Sequence, residues 1–549
     1  MESKGRIFNK SLYMKVIAQI SSAVFLTLIS FAVDAETPEL IYKVEWKDAG
    51  YQGEISTINY RIIRAKDHGV KGDGINDDTA TIEKLIQNQT SPVIIYFTQG
   101  TYLIKKTIKL KDAIVIKGSG SNNTHFKFDL PDNQKNCIEV VKYSQSNFTQ
   151  VHIDSDISKE SIFIKVNDGS LFNVGDFAEI EQCDCDPLIP GDCPIEPTGC
   201  PELNPDPNSG RPEWNENDKG QLFKIVSKSG NILEIYPPLN DHFEINHAPK
   251  VRKINVVSMV GIEDLLISRV NSASTTNRSN ILFRYASNCW VRRVESQYSI
   301  RSHIQIDSSI YIEVRDSYFH ESHKYGDSGF GYGVECGRHT TLCLIENNIF
   351  KTLRHAIIVQ VGANGNVFGY NYSLYPVQGE DPENLNIGWI PCDISVHGNW
   401  AFMNLFESNI VRQIVVSDYH GTSGPGNTMF RNRVECEQGY NIEIKEESDH
   451  QNVIGNILVG GQGINISNAE CYIFGNRIND SIPENEHDLP NSYYLKGKPK
   501  FYRNLDWPSL GADKCPGICT IPAKKRYDSG NFILFDSQCI SPILHLLLN

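Results

Sequence analysis

Asn-Val-Ile-Gly-Asn (452–456) and Tyr-Ile-Phe-Gly-Asn (472–476) are two copies of one pattern, and the pattern runs through the C-terminal half of the chain. Upstream copies read Leu-Ile-Glu-Asn-Asn (344–348), Val-Phe-Gly-Tyr-Asn (367–371), Leu-Phe-Glu-Ser-Asn (405–409) and Thr-Met-Phe-Arg-Asn (428–432). Lys-Phe-Tyr-Arg-Asn (500–504) reads as a further one. The last asparagines stand at 348, 371, 409, 432, 456, 476 and 504, so successive gaps are 23, 38, 23, 24, 20 and 28. The larger gaps hold inserts such as the Pro- and Gly-rich stretch Pro376 to Pro391. Three residues before each marker stand Ile345, Phe368, Phe406, Met429, Val453, Ile473 and Phe501, all apolar. One residue before stand Asn347, Tyr370, Ser408, Arg431, Gly455, Gly475 and Arg503, none aliphatic. Such alternation turns one side of a strand inward and the other outward.

A repeat in the low twenties is too short for a helix, a strand and their connections, but it holds one coil of two or three short strands. Stacked coils make parallel sheets with rungs about 4.8 Å apart, and parallel crossovers are right-handed. Leucine-rich repeats need a Leu frame that is absent, and a β-sandwich keeps no such period. The predicted fold is therefore all-β, a right-handed parallel β-helix (solenoid), with about ten coils over 255–505. Weaker copies at Gly261–Ser268, Ala286–Ser296 and Ile310–Phe319 extend the series upstream. The asparagines are expected at a bend, stacked and structural.

Residues 65–120 carry a second signal. Asp67-His68-Gly69-Val70-Lys71-Gly72-Asp73-Gly74 leads to Asn76-Asp77-Asp78-Thr79 and a helical stretch to Gln87, with Asp77 or Asp78 placed to cap it. Val93–Phe97, Gly100–Ile104 and Ala113–Gly118 follow as short strands. This block resembles the start of the pectate-lyase-like superfamily, which includes polygalacturonases, rhamnogalacturonases and tail-spike depolymerases. The resemblance implies a short N-terminal capping helix over one open end of the solenoid, where strand edges would otherwise be bare. It also implies a sugar polymer as ligand. It assigns the early aspartates to turns and capping. The polygalacturonase signature (Asn-x-Asp, Asp-Asp, Gly-His-Gly, Arg-x-Lys) is not present as a set. Arg431-Asn432-Arg433 is a remote echo of its last element, so no hydrolase mechanism carries over by motif.

Lys4, Arg6, Lys10 and Lys15 precede an apolar run from Val16 to Val33, and Val33-Asp34-Ala35 suits a signal peptidase. The expectation is a signal peptide over 1–35 (Met14 being an alternative start), hence a secreted protein with no stable membrane insertion. Removing that segment takes four basic and two acidic residues from a net charge of −14, leaving −14 − 4 + 2 = −16. That charge argues against a nucleic-acid partner. Of fourteen cysteines, Cys183, Cys185, Cys193 and Cys200 fall in a Pro-rich stretch and read as a disulfide-stapled loop, their spacing matching no zinc pattern. Cys515 and Cys519 read as another staple, and Cys289, Cys343 and Cys471 as buried small hydrophobes. The expected organisation is an extension over 36–60, the β-helix over 61–506 with an inserted loop at 183–215, and an irregular cap over 507–549.

A chain lying along a β-helix crosses its rungs, so functional residues should recur at one phase. His397 and His420 each stand twelve residues before a marker asparagine and precede Gly. They are predicted one rung apart, with Asp418 and Ser395 two residues earlier, Gln360 upstream, and Glu443 and Lys445 downstream. A second cluster holds His323, Lys324, Tyr325, Asp327, Tyr332 and Glu335, followed by Arg354 and His355. A lyase would use Arg354, Arg431 or Lys324 to neutralise a uronate and His397, His420 or Tyr325 as base. A hydrolase would draw two carboxyls from Asp327, Glu335, Asp393, Asp418 and Glu443. The paired histidines favour a lyase on a uronate-containing polymer. A glycosidase, an epimerase and a non-catalytic adhesin with Tyr370, Trp389 and Trp400 as stacking surfaces are the alternatives. The metal is unassigned. Calcium is the candidate cofactor, although no calcium-loop motif appears.

Overall fold

Six of the seven marker asparagines form one column. In the computed structural model, the main-chain N and Nδ2 of Asn371 both donate to Oδ1 of Asn409, at 2.9 and 3.1 Å. The same double bond links Asn348 to Asn371, Asn409 to Asn432, Asn432 to Asn456 and Asn456 to Asn476. Nδ2 of Asn409 also donates to the Phe368 carbonyl at 2.8 Å, so these buried amides are satisfied along the axis. The residue before each marker (Asn347, Tyr370, Ser408, Arg431, Gly455, Gly475) is left-handed, with φ from 54° to 62°. That explains the missing aliphatics, since β-branched side chains tolerate this region worst.

The structure describes residue 40 and residues 42–533, apart from 58, 91, 132–135, 144–149, 183–218, 273–277, 327–328, 380–390, 418–421, 446–447, 480–488 and 515–518. Each coil contributes a strand to three parallel sheets, for example Leu344–Glu346 to sheet 1, Ile349–Lys351 to sheet 2 and His355–Val359 to sheet 3. Among the described residues the sheets hold thirteen, twelve and ten strands. The chain is a right-handed parallel β-helix. Ile345, Phe368, Phe406, Met429 and Val453 are in register across sheet 1 and fully buried in the core. Ile473, on the last rung, is 45% exposed.

The helix Thr79–Gln87 places Ile82, Leu85 and Ile86 on the N-terminal end of this core. Asp77 accepts from the Thr79 N–H at 3.0 Å, while Asp78 accepts from Lys71 and Gly72 and closes the preceding turn.

Two boundaries differ from the sequence reading. Residues 150–254 are not coils. The strands Gln150–His152, Phe163–Lys165, Phe177–Gln182, Lys219–Ser229, Ile232–Tyr236 and Lys250–Ile254 pair antiparallel with their own core of Val151, Ile164, Ile180, Phe223, Leu233 and others. Asp154 N donates to Lys165 O, and Asn167 N to His152 O, joining the first strand to the second and closing a barrel. A period of two is common to parallel and antiparallel strands, so alternation could not separate barrel from solenoid. The inserted loop at 183–215 lies outside the described residues.

The solenoid also ends at Ile478, not near 506. Lys500–Tyr502 is a 3₁₀ turn, Asn504 is exposed, and Phe501 packs on Tyr370 outside the sheet at 5.5 Å. The described parts of 489–533 return along the outer faces of sheets 1 and 2 and include the helix Pro522–Asp528, so the C-terminal region is not wholly irregular. Among the described residues no helix is long and apolar enough to cross a membrane.

Two carboxyls lie beneath this returning strap. Glu346 and Glu407 stand two rungs apart on sheet 1 with Gly369 between them. A Cβ on Gly369 would lie 2.6 Å from the Tyr494 hydroxyl, which occupies the gap and donates to Glu346 at 2.7 Å. Glu407 accepts from the Tyr370 hydroxyl at 3.1 Å and the Tyr493 N–H at 2.9 Å. Burial pushes both carboxyls up to about 7, although Arg315 lies 3.2 Å from Glu346 and Arg431 also acts on Glu407. The folded state therefore binds more protons than the unfolded state between 4.5 and 7, and stability falls as pH rises through that window. The loss is on the order of 3 kcal/mol per carboxyl. Glu407→Gln should flatten the decline in melting temperature between about pH 5 and 8. Parallel wild-type and variant curves would contradict this placement of the charge.

Candidate functional site

The outer face of sheet 3 gathers the polar side chains. Along Ser302–Asp307, Ile304 and Ile306 point into the core, which leaves Gln305 and Asp307 outside. The register sets Gln305 opposite Glu335, then Ile358, Ser395, Val415 and Glu443 on successive rungs. A second column, two residues further along each strand, pairs Arg284 with Asp307 and His397 with Ser417, and Gly337, Gln360 and Lys445 continue it, their N–H groups donating to Ile306, Cys336 and Val416 on the preceding rungs.

Asp307 and Glu335 form a carboxyl pair on adjacent rungs in unlike surroundings. Glu335, 1% exposed, is clamped by Arg301 through Nε at 2.8 Å and Nη2 at 2.5 Å. It also accepts from Ser302 Oγ at 2.6 Å and Gln360 Nε2 at 2.8 Å. Asp307 accepts from Arg284 Nη2 at 2.8 Å and Gln305 Nε2 at 3.0 Å. Burial pushes the Asp307 carboxyl up, Arg284 partly offsets this, and the nearby charge of Glu335 adds to the rise. Gly337 makes room, since a Cβ there would lie 2.3 Å from Asp307 Oδ1. The Asp307 carboxyl thus leans across the next rung. Above Arg301 passes the loop bearing Gly329, where φ is 87° and a Cβ would lie 2.6 Å from the guanidinium.

The sequence-predicted residues are only partly brought together. Glu335, Gln360 and His397 share this face, with Glu443 and Lys445 lower down in a 2.7 Å ion pair. The strand register puts Ser417, not His420, opposite His397. Eight residues separate His397 from Leu405, but eleven separate Ser417 from Thr428, so equal distances to the markers do not give equal height. His420, Asp418 and Asp327 lie outside the described residues.

His355 is buried, donates Nδ1–H to the Cys392 carbonyl at 2.7 Å, and is driven down to about 3 by burial and by Arg354. That makes it a structural imidazole. Arg354 donates to the Gly326 carbonyl at 2.7 Å and ties down the loop above Arg301. Tyr325 is buried, its hydroxyl accepts from Ser322 N, and burial pushes it up to about 12, which removes it as a base near neutrality. Lys324 lies over the Phe330 ring at 5.3 Å. Asp393 accepts from Ser373, Arg412 N and Gln413 N in a turn.

Two assignments are corrected outright. Arg431 is fully buried at the bend between sheets 1 and 2, bonded to the strap carbonyls of Leu489, Pro490 and Leu510 and to Asp513. It is a staple, not a substrate cation. Trp400 is engaged by the barrel: its Nε1 donates to Asp241 at 3.2 Å, and Lys219 lies 5.3 Å from its ring.

A family model described as "Rhamnogalacturonase A/epimerase, pectate lyase-like" matches residues 62–169. The tailspike gp61 of Pseudomonas phage phi297 superposes with a TM-score of 0.51 at 12% identity, covering 78% of this chain and 76% of that one. The family match is thus confined to residues 62–169, while the β-helix fold runs through the chain. At that identity the superposition speaks for the fold alone. Among curated proteins, a probable glucan endo-1,3-beta-glucosidase of Arthroderma benhamiae is 41% identical over 58 residues, 11% of this chain and 7% of that protein. The pre-neck appendage protein of Bacillus phage phi29 is 36% identical over 66 residues, 12% of this chain and 7% of that one. The matched stretches are thus a small part of those relatives.

On sheet 3, Asp307, Arg284, Gln305 and Arg301 escaped the sequence reading. The asparagine column stops at Asn348, which accepts from Ser317 N, and no marker fixes phase further upstream. The alternation Ile304-Gln305-Ile306-Asp307 was the available signal.

Among the described residues one group could gather a cation: Glu179, Glu181 and His339, all buried where the barrel meets the solenoid. Its charge is already matched, because Arg252 pairs with Glu179, Arg338 with Glu181 at 2.6 Å, and His339 Nδ1 lies 2.5 Å from Glu179. Burial would raise Glu179, but Arg252 and His339 more than reverse it. Two guanidiniums and an imidazole do not fit an oxygen-rich calcium shell.

Proposed function

We propose that this chain binds and hydrolyses a polysaccharide along the outer face of sheet 3 and is exported to do so. The observation that carries the reading is the pair Asp307 and Glu335, on adjacent rungs and in contrasting surroundings, with Gly337 leaving room for the Asp307 carboxyl to lean across its rung. Two carboxyls whose environments differ in this way divide the labour of glycoside hydrolysis. Asp307 keeps a proton to pass to the departing glycosidic oxygen. Glu335 either takes a proton from water or attacks the anomeric carbon, and water supplies the new hydroxyl. Gln360, Arg284 and His397 line the same column and would bind hydroxyl or acidic groups of the chain. The segmental likeness to a glucosidase supports a glycan substrate, and the charged leader over 1–35 supports export.

β-Elimination needs a base and a neutralising cation in one place. Arg431, His355 and Tyr325 are committed elsewhere, which leaves this reading with His397, Lys324 and Arg354 alone among the described candidates. The test is product analysis on a panel of neutral and uronate-containing polymers. New reducing ends without ultraviolet absorbance from an unsaturated uronate support hydrolysis. Reducing ends with that absorbance restore the lyase and refute the carboxyl mechanism. A second reading, binding without cleavage, is favoured by the four hydrogen bonds that saturate Glu335. It predicts retained polymer with no new ends, and Glu335→Gln would then lower the melting temperature without a kinetic effect.

A further inference from the structure

The barrel has a built surface that neither its core nor its docking explains. Strands Phe163–Lys165 and Ile232–Tyr236 alternate, with Ile164, Leu233 and Ile235 buried in the barrel core. On an antiparallel sheet with one wet face, the outward positions should be polar. Here Phe163 is 52% exposed, Ile232 44% and the adjoining Ile162 39%. The register puts Phe163 opposite Glu234 and Lys165 opposite Ile232, so the two apolar side chains are diagonal neighbours on the wet face.

Phe163, Ile232, Ser161 and the stretch Ser155–Ser158 bound a groove of about 530 Å³. Its rim bears Ser155, Asp156, Ser158, Ser161 and Lys165. Several of these groups are held in place. Ser161 Oγ donates to the Phe163 carbonyl at 2.8 Å and accepts from the Phe163 N–H at 3.2 Å, fixing the ring's own strand. Asp156 accepts from Ile245 N at 2.8 Å, and Lys165 pairs with Asp154 at 3.0 Å.

We propose that this groove is a second glycan-binding site, remote in sequence from the carboxyl pair, and that it takes a neutral pyranose of the same polymer. This rests on the reading of the chain as a glycan-processing protein. A pyranose presents a face of C–H groups and a rim of hydroxyls. It is matched by an exposed ring bordered by fixed hydroxyl, carboxylate and ammonium groups. The volume falls in the range of small-ligand sites. Lys165 is already paired with Asp154, and Asp156 adds a further carboxylate to the rim, which disfavours a uronate and suits a neutral sugar. The barrel is docked on the solenoid by the buried pairs Arg338–Glu181 and His339–Glu179, so a chain held in this groove is tethered to the body that carries sheet 3.

The test is hydrogen exchange of the full chain with defined neutral and acidic oligosaccharides, using Asp307→Asn to hold substrate uncut and Phe163→Ala to remove the ring. The expected result is protection of 155–165 by neutral oligosaccharides, kept in Asp307→Asn and weakened at least ten-fold in Phe163→Ala. The melting temperature and hydrolysis of short soluble oligosaccharides should not change in Phe163→Ala, whose side chain is on the surface. Protection confined to sheet 3 overturns the groove and leaves the proposed function standing. Absence of binding or cleavage anywhere removes both. Concentration-dependent dimerisation abolished by Phe163→Ala, without glycan protection, would make the patch a contact between copies and overturn the sugar site.

Discussion

Asp307→Asn is expected to lower hydrolysis by about 10²- to 10⁴-fold, the usual contribution of a positioned proton donor. Asparagine keeps the shape of the side chain and can still accept from Arg284 and Gln305, so the variant should fold. Its thermal stability should stay within about 1 kcal/mol of wild type. The pH profile gives the sharper reading. Burial and Glu335 hold the Asp307 carboxyl above its usual range. The wild-type rate should therefore fall on the alkaline side, as pH rises through that raised pKa and the donor loses its proton. In Asp307→Asn this limb should vanish. A substrate whose leaving group needs no proton, such as an activated aryl glycoside, should recover most of the lost rate. A variant that hydrolyses every substrate as fast as wild type would show that Asp307 only balances Arg284.

Arg431→Ala is expected to cost about 3–5 kcal/mol, the range for removing one partner of a buried ion pair. The guanidinium makes five bonds, to the carbonyls of Pro490, Leu510 and Leu489 and twice to Asp513. Gly511 closes over it, with space for no Cβ. Truncation leaves a carboxylate and three carbonyls without their donor, all on the strap. The loss should appear as early proteolysis within 489–533 and a lowered first thermal transition. Arg431→Lys should recover part of it, since an ammonium cannot form the fork. Below that transition, hydrolysis by Arg431→Ala should equal wild type. A large fall in turnover with the strap still protected from protease would return Arg431 to the chemistry.

The contrast between Arg431 and Asp307 shows where the sequence could be read and where it could not. Arg431 sits in the most regular part of the chain, beside a marker asparagine, and looked like an exposed cation on a recurring face. Its true partners are 58 to 82 residues away in a segment with no repeat. Asp307 precedes the first marker, where Ser317 and Val294 take the column position and the ladder gives no phase. The equal offsets of His397 and His420 failed as a guide because they were counted across a turn whose length changes from coil to coil. Glu335, by contrast, was legible from the polar cluster that it closes, and Gln360 from its place one coil upstream of His397.

The winding is written in the amino-acid sequence. Each coil repeats a left-handed bend, an inward amide and an apolar side chain one rung above the last, and these are short-range requirements that any stacked copy must meet. The N-terminal helix was legible for the same reason, being a local pattern over the end of the core. Three outcomes came from the folded chain instead: 150–254 closes on itself as a barrel, the described parts of 489–533 return over sheets 1 and 2, and Asp307 leans over Gly337 on the rung that carries Glu335. Those outcomes depend on contacts between segments of unrelated pattern, and the physics that selects them is burial and charge pairing at a distance along the chain, which no periodicity records.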